Sequence, residues 1–186
     1  ILAGAMAPVT IAAAATQTLA EALAGLAYTQ LVRPGTPVVF GSFGRVTPEK
    51  GLTHVLLALA QVAPVVPTLH LLVVGDIPGY FDLASQAREL GVADRLTITG
   101  YVGDGALPEY LGAVDACLNL RWPTGRETSG AWIRCLAAGK PTVITDLAHL
   151  SDVPSLDLRS MTVACTDPAA TEPIAVSVEL IDEIHM

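Results

Sequence analysis

At 186 residues, with 52% hydrophobic side chains and 13 Pro and 16 Gly as punctuation, the chain can bury one domain and is too short for two ordinary ones. A formal charge of −8 excludes nucleic acid and an anionic membrane surface as main partners, because either requires a basic face. Three cysteines without CxxC spacing and four scattered histidines exclude a disulfide framework and a zinc site. Cys117, Cys135 and Cys165 read as reduced core thiols of a cytoplasmic protein, and neither a metal nor a cofactor is expected.

The opening run ILAGAMAPVTIAAAATQTLA is uncharged, yet it is mostly Ala, Thr and Gly with Pro8 inside and no flanking Lys or Arg. No stable membrane insertion is expected from it, and it lacks the basic start of a signal peptide. Residues 1–36 read as a poorly specified lead-in and residues 37–186 as the folded domain. VVFGSF (38–43) is β-rich, and 52–63 follows as a helix with Leu52, Val55, Leu56, Leu59 and Ala63 on one face. LHLLVVG (69–75) is a continuous apolar run ending in Gly, the pattern of a strand buried on both faces. Residues 80–90 predict a helix with Tyr80, Leu83, Ala84, Ala87 and Leu90 as its stripe, and 95–100 a strand. A short helix then carries Pro108 in its first turn, where a missing N–H is harmless. ACLNL (116–120) predicts a strand, 128–138 a helix, PTVITD (141–146) a strand, and MTVAC (161–165) an edge strand. Strands alternating with helices at this spacing imply a Rossmann-like α/β domain, a parallel sheet with helices on both faces.

In such a sheet a ligand lies beyond the carboxyl ends of the strands, so the turns at 41–51, 75–79, 100–105, 120–130 and 146–153 are the ones to inspect. GSFGRVTPEKG (41–51) sets Gly41 and Gly44 for close backbone approach and places Arg45 and Lys50 near a helix N-terminus opened by Gly51. With only two lysines in the chain, Lys50 and Lys140, this pairing reads as a diphosphate clamp rather than a solvated turn. The spacing is neither GxxxxGK[ST] nor GxGxxG. In NLRWPTGRETSG (119–130), Arg121, Arg126, Glu127, Thr128, Ser129 and Gly130 lead from a strand into a helix. Thr128 or Ser129 can cap that helix, and Glu127 either accepts from a polyol hydroxyl pair or is a solvated turn residue. Asp76, Asp146 and His149 end strands and read first as loop anchors, and Asp115 as a cap of the preceding helix end or loop. No DxD pair stands near a strand end, so no metal-clamped diphosphate is expected.

GRVTPEKG, LHLLVVGD, DRLTITGYV, the Glu127–Gly130 turn and AAGKPTVITD, in this order and spacing, resemble the C-terminal domain of family 4 glycosyltransferases of the GT-B fold. The resemblance covers about residues 37–155. It implies that Arg45 and Lys50 bind the diphosphate of a nucleotide diphosphate sugar donor, with Gly44 in the same turn. Gly100 and Val102 are then expected to lie against the base, and Glu127, Thr128, Ser129 and Gly130 to hold the sugar and phosphate. Arg45, Lys50 and Glu127 are the residues implied in the reaction. The chain departs from the family where a second glutamate normally holds the ribose: Arg134 or Cys135 stands there, and Arg134 is expected to meet a phosphate or an acidic neighbour. The resemblance further implies metal-independent, retaining hexosyl transfer and a missing N-terminal acceptor-binding domain, with the fragment truncated at both ends and inactive alone. A non-catalytic nucleotide-binding module and a GT-B-like sugar-nucleotide epimerase remain open alternatives.

Overall fold

A computed structural model describes residues 28, 30–123, 126, 129–145, 147–157, 162–167 and 173–178 of the chain. The strands are β1 (Val38–Phe43), β2 (Leu69–Val74), β3 (Leu96–Gly100), β4 (Ala116–Asn119), β5 (Thr142–Thr145), β6 (Ser155–Asp157), β7 (Thr162–Ala164) and β8 (Ala175–Val178). They form one sheet in the order β3-β2-β1-β4-β5-β8-β6-β7. Every pairing is parallel except β6 with β7, which is antiparallel and places β7 at the edge. The expected edge strand is therefore present. β6 and β8 were not expected from the sequence, being only three and four residues long.

Alternation along β1 and β2 explains the two layers. Leu71 and Val73 point to one face with Phe40, while Leu72 and Val74 point to the other with Val39 and Phe43. On the first face lie α1 (Leu52–Val62) and α2 (Leu83–Glu89), burying Leu52, Leu56, Leu59, Leu83 and Ala87. The second face carries α3 (Leu107–Gly112) and α4 (Gly130–Ala137), with Leu111, Val114, Cys117 and Cys135 buried between them and the sheet. α2 is shorter than the stripe over 80–90 implies. Asp82 caps it by accepting from Ser85 N–H at 2.9 Å, so Tyr80 falls outside the helix and is exposed while Phe81 enters the core. Likewise α4 begins at Gly130 rather than 128.

Two further residues play different parts from those expected. Gly41 lies inside β1, where an added Cβ would sit 2.7 Å from Val114 Cγ1, so its missing side chain makes room for the core and not for a ligand. Asp115 caps no helix: its Oδ2 accepts from Val39 N–H at 2.8 Å while its own N–H donates to Val39 O, also at 2.8 Å, locking the start of β4 to β1.

Candidate functional site

From β1 the chain winds outward through β2 to β3, whereas β4 and β5 lie on β1's other side. The order thus reverses between β1 and β4, and the crevice beyond their carboxyl ends is where such a sheet accepts a ligand. Its floor is the turn after β1. Gly44, at φ 85°, donates its N–H to Val74 O at 2.9 Å, and Val46 N–H donates to Asp76 O at 2.8 Å. These bonds stitch the turns after β1 and β2 together so closely that a Cβ on Gly75 would lie 2.0 Å from Gly44 O.

Beyond Gly44 a 3₁₀ turn over Pro48–Lys50 ends at Gly51, which takes a left-handed φ of 63° and opens α1. That reversal carries Lys50 back under the turn. Its Nζ donates to Phe43 O and would stand 3.5 Å from a Cβ on Gly44. Burial, and secondarily the nearby Arg121 guanidinium, hold the Lys50 ammonium down to about 8. Trp122 N–H donates to Glu49 O at 2.6 Å, tying the turn after β4 to the same structure. Arg45 is exposed beside Gly44 and makes no hydrogen bond or ion pair among the described residues.

The opposite walls come from β3 and α4. Gly100, at φ 72°, pairs with Gly75 in an isolated bridge and turns the chain outward. Tyr101 follows, 82% exposed, then half-buried Val102 and exposed Asp104. On α4, Ser129 Oγ accepts from Trp132 N–H at 3.3 Å and so caps the helix, while Arg134 Nη1 reaches Asp104 Oδ1 at 2.9 Å. The resulting cleft has a volume of about 560 Å³, with Gly44, Arg45, Val102, Gly130 and Arg134 in its wall.

Of the residues singled out in the sequence, those five therefore converge. Lys50 lies beneath the floor, and Gly100 is the pivot behind Tyr101. Ser129 instead borders a second hollow of about 370 Å³ beyond β4 and β5, together with Arg121, Arg126 and His149. Glu127, Thr128 and Asp146 lie outside the described residues. Asp76 does line the cleft. Sequence reasoning marked the turns 75–79 and 100–105 that hold Gly75, Tyr101 and Asp104, but it gave none of the three side chains or backbones a role of its own. Cys165 is partly exposed, with Sγ 3.3 Å from Asp152 O, unlike buried Cys117 and Cys135. Lys140 serves the fold: its Nζ donates to Val114 O at 2.7 Å, just past the end of α3. Among the described residues no three His, Cys, Asp or Glu side chains converge to hold a metal, and no helix is long and apolar enough to cross a membrane.

Comparison with known proteins adds an independent line. The family profile described as Glycosyl transferases group 1 matches residues 37–172, and one described as Trimethylamine methyltransferase (MTTB) matches residues 1–48. The chain is 32% identical over 123 residues to a 2-deoxystreptamine glucosyltransferase of Streptomyces kanamyceticus, covering 66% of this chain and 31% of that protein. It is 30% identical over 113 residues to an alpha-monoglucosyldiacylglycerol synthase of Streptococcus pneumoniae, covering 60% of this chain and 25% of that one. The chain thus spans a third or less of the length of these curated relatives. Among solved structures, HepE of Anabaena in complex with UDP-glucose shares the fold at a TM-score of 0.51 and 24% identity, over 72% of this chain and 36% of that one.

Proposed function

Since the chain belongs to the glycosyl transferases group 1 family, we propose that its cleft binds a nucleotide diphosphate sugar as the donor-binding, C-terminal domain of a family 4 type GT-B enzyme. The observation that carries this reading is the Gly44–Arg45 turn at the sheet's reversal point, with Lys50 half-buried under it. A diphosphate fits there. Gly44 carries no side chain to hold it off, Arg45 has its donors unengaged, and Lys50 adds a point charge from below. Gly130 and Ala131, at the start of α4, bring a helix N-terminus to the same cleft.

In transfer, negative charge grows on the diphosphate as the bond to the sugar's anomeric carbon breaks. Groups already in place to receive that charge lower the barrier without needing to rearrange. Arg45 and Lys50 take that role, and no metal is required for it. Glu127 holds sugar hydroxyls, and Thr128 and Gly130 border the sugar and phosphate, while Ser129 caps α4. Gly100 and Val102 adjoin the base. The acceptor binds on a separate N-terminal domain, and the transfer retains anomeric configuration.

Calorimetric titration with nucleoside diphosphates, in EDTA throughout, tests this reading. Arg45→Ala and Lys50→Ala should each weaken binding by about 1.5–3 kcal/mol, the range for hydrogen bonds to charged groups. Glu127→Gln should leave diphosphate affinity intact while weakening the nucleotide sugar. Equal affinity in both cation variants, or loss of all binding in EDTA, removes the proposal.

A further inference from the structure

We propose that Asp104 recognises the ribose of the bound nucleotide, with Arg134 as the positioning residue that holds its carboxylate in place. The inference rests on reading the cleft as a nucleotide diphosphate site. Such a ligand has an anionic end and a polyol end, and the cleft is polarised to match. Its anionic end is fixed by Gly44, Arg45 and Lys50.

A ribose presents two neighbouring hydroxyl donors, for which a carboxylate is the natural acceptor. Two described carboxylates line the cleft, Asp76 and Asp104. Asp76 directly follows Gly75, which packs on Gly44, and its carbonyl accepts from Val46 N–H beside Arg45. A carboxylate at that end opposes a diphosphate. Asp104 stands on the other wall, past Tyr101 and Val102, where the exposed Tyr101 ring offers a flat apolar surface for a base.

The Arg134–Asp104 pair makes most sense in that role. Its side chains are 57% and 84% exposed, and a pair so open to water contributes little to stability. Asp104 sits between Gly103 and Gly105, neither of which has any atom within 4 Å of an added Cβ. Backbone bonds from Ala106 and Leu107 N–H to Gly103 O close the turn, but no packing contact of these glycines orients the Asp104 side chain. Arg134 orients that side chain, by engaging Oδ1 alone. Oδ2 has no hydrogen-bond partner among the described residues and is left to accept from a ligand. Arg134 lies one helical turn beyond Gly130, on the α4 face that borders the cleft, so its guanidinium reaches Asp104 from within the site.

The test is titration of the full chain with UDP, GDP and ADP. The tightest ligand is then compared with its 2′,3′-dideoxy analogue, and inorganic pyrophosphate probes the anionic end alone. The unmodified chain should bind the dideoxy analogue about tenfold more weakly. Asp104→Asn and Asp104→Ala should bring the parent nucleotide down to the analogue's level and leave pyrophosphate unaffected. Arg134→Ala should narrow the discrimination in part, and Arg134→Lys should restore much of it, an outcome that a merely structural Arg134 does not give. Thermal melting confirms that each variant is folded. Full discrimination retained in both Asp104 variants overturns this inference while leaving the nucleotide reading standing. Absence of binding by every nucleoside diphosphate and by pyrophosphate overturns both.

Discussion

The two halves of the sheet are built differently. β1 to β3 have five or six residues each and rest on α1 and α2 through an apolar cluster that includes Leu52, Leu56, Leu71, Val73 and Leu83. β4 to β8 have three or four residues each, and the cluster beyond α4 consists of Trp132, Ile144 and Ala175. Buried hydroxyls gather in this second half: Thr142, Thr145, Ser155 and Ser177, against Ser42 alone in the first. Two of them carry local order, since Trp132 Nε1 donates to Thr142 Oγ1 at 3.2 Å and Arg121 N–H to Thr145 Oγ1 at 2.8 Å. Asn119 Nδ2 is buried there with no hydrogen-bond partner among the described residues. The first half fixes its turn chiefly by backbone bonds and close packing, with a side-chain bond from Lys50. The second adds side-chain polar bonds to the backbone tie between Trp122 and Glu49. A phosphate clamp gains from the first kind of support, because charge stabilisation depends on donors that do not move.

If that contrast is right, the largest effect should come from disturbing the packed junction of the two turns. Gly75→Ala places a methyl group 2.0 Å from Gly44 O, and because the obstacle is backbone, no rotamer relieves it. Stability should fall by about 3 kcal/mol, the upper end for overpacking, and diphosphate affinity should fall beyond what partial unfolding explains. Gly79→Ala, with nothing within 4 Å of the new Cβ, is the control and should change neither. A melting curve and one titration per variant decide it. A neutral Gly75→Ala would mean that the floor of the cleft is not rigid.

The next effect in size concerns pH. Lys50 titrates near 8 in the folded chain and at 10.5 when unperturbed. Between those values the unfolded chain holds the proton more tightly, so folding gains stability as pH rises through the window. Diphosphate binding runs the other way, since it needs the ammonium. Affinity should fall roughly tenfold between pH 8 and 9.5, and binding near pH 8 should take up a proton. Lys50→Met should flatten the profile at a lower affinity. Titration in two buffers of different ionisation enthalpy reads the proton directly. A flat profile in the unmodified chain places Lys50 outside the binding energetics.

How much of this was legible in sequence follows that division only in part, since β4, β5 and β7 lie within a residue or two of where the sequence set them. Long apolar strands and the Leu52–Leu59 stripe announce themselves by periodicity, so β1, β2 and α1 were placed almost to the residue. β6 and β8 are too short for a period to emerge, and their buried serines break the apolar pattern that marks a strand. In the site, Gly44 and Arg45 stood out because turn glycines and scarce cations are visible as residue types. The placing of Lys50 beneath the turn was not, since it depends on the left-handed Gly51 returning the chain beneath β1's end. Nor could one-dimensional spacing reveal that Arg134 meets Asp104, thirty positions away on another wall.

The smallest effect separates the two roles that the sequence gave Ser129, capping the helix and bordering the ligand, of which the structure shows the cap of α4. Removing the hydroxyl in Ser129→Ala leaves Trp132 N–H without its 3.3 Å acceptor. Loss of a serine cap costs about 1 kcal/mol. If capping is the whole role, melting should register that loss while affinity for nucleoside diphosphate and nucleotide sugar stays unchanged. Ser129→Gly should cost less stability, because glycine is tolerated at this position. Should Ser129 also touch the donor, both variants lose affinity for the nucleotide sugar regardless of how well each caps. Asp82→Ala, which removes the cap of α2 on the opposite face, supplies the reference: stability falls and affinity holds. Ser129→Asp sharpens the reading further. It keeps a capping oxygen but adds a negative charge where the α4 N-terminus borders the cleft, so stability should hold while diphosphate affinity falls. If affinity is unmoved by that charge, the α4 N-terminus takes no part in anion binding, and the clamp belongs to the packed half of the sheet alone.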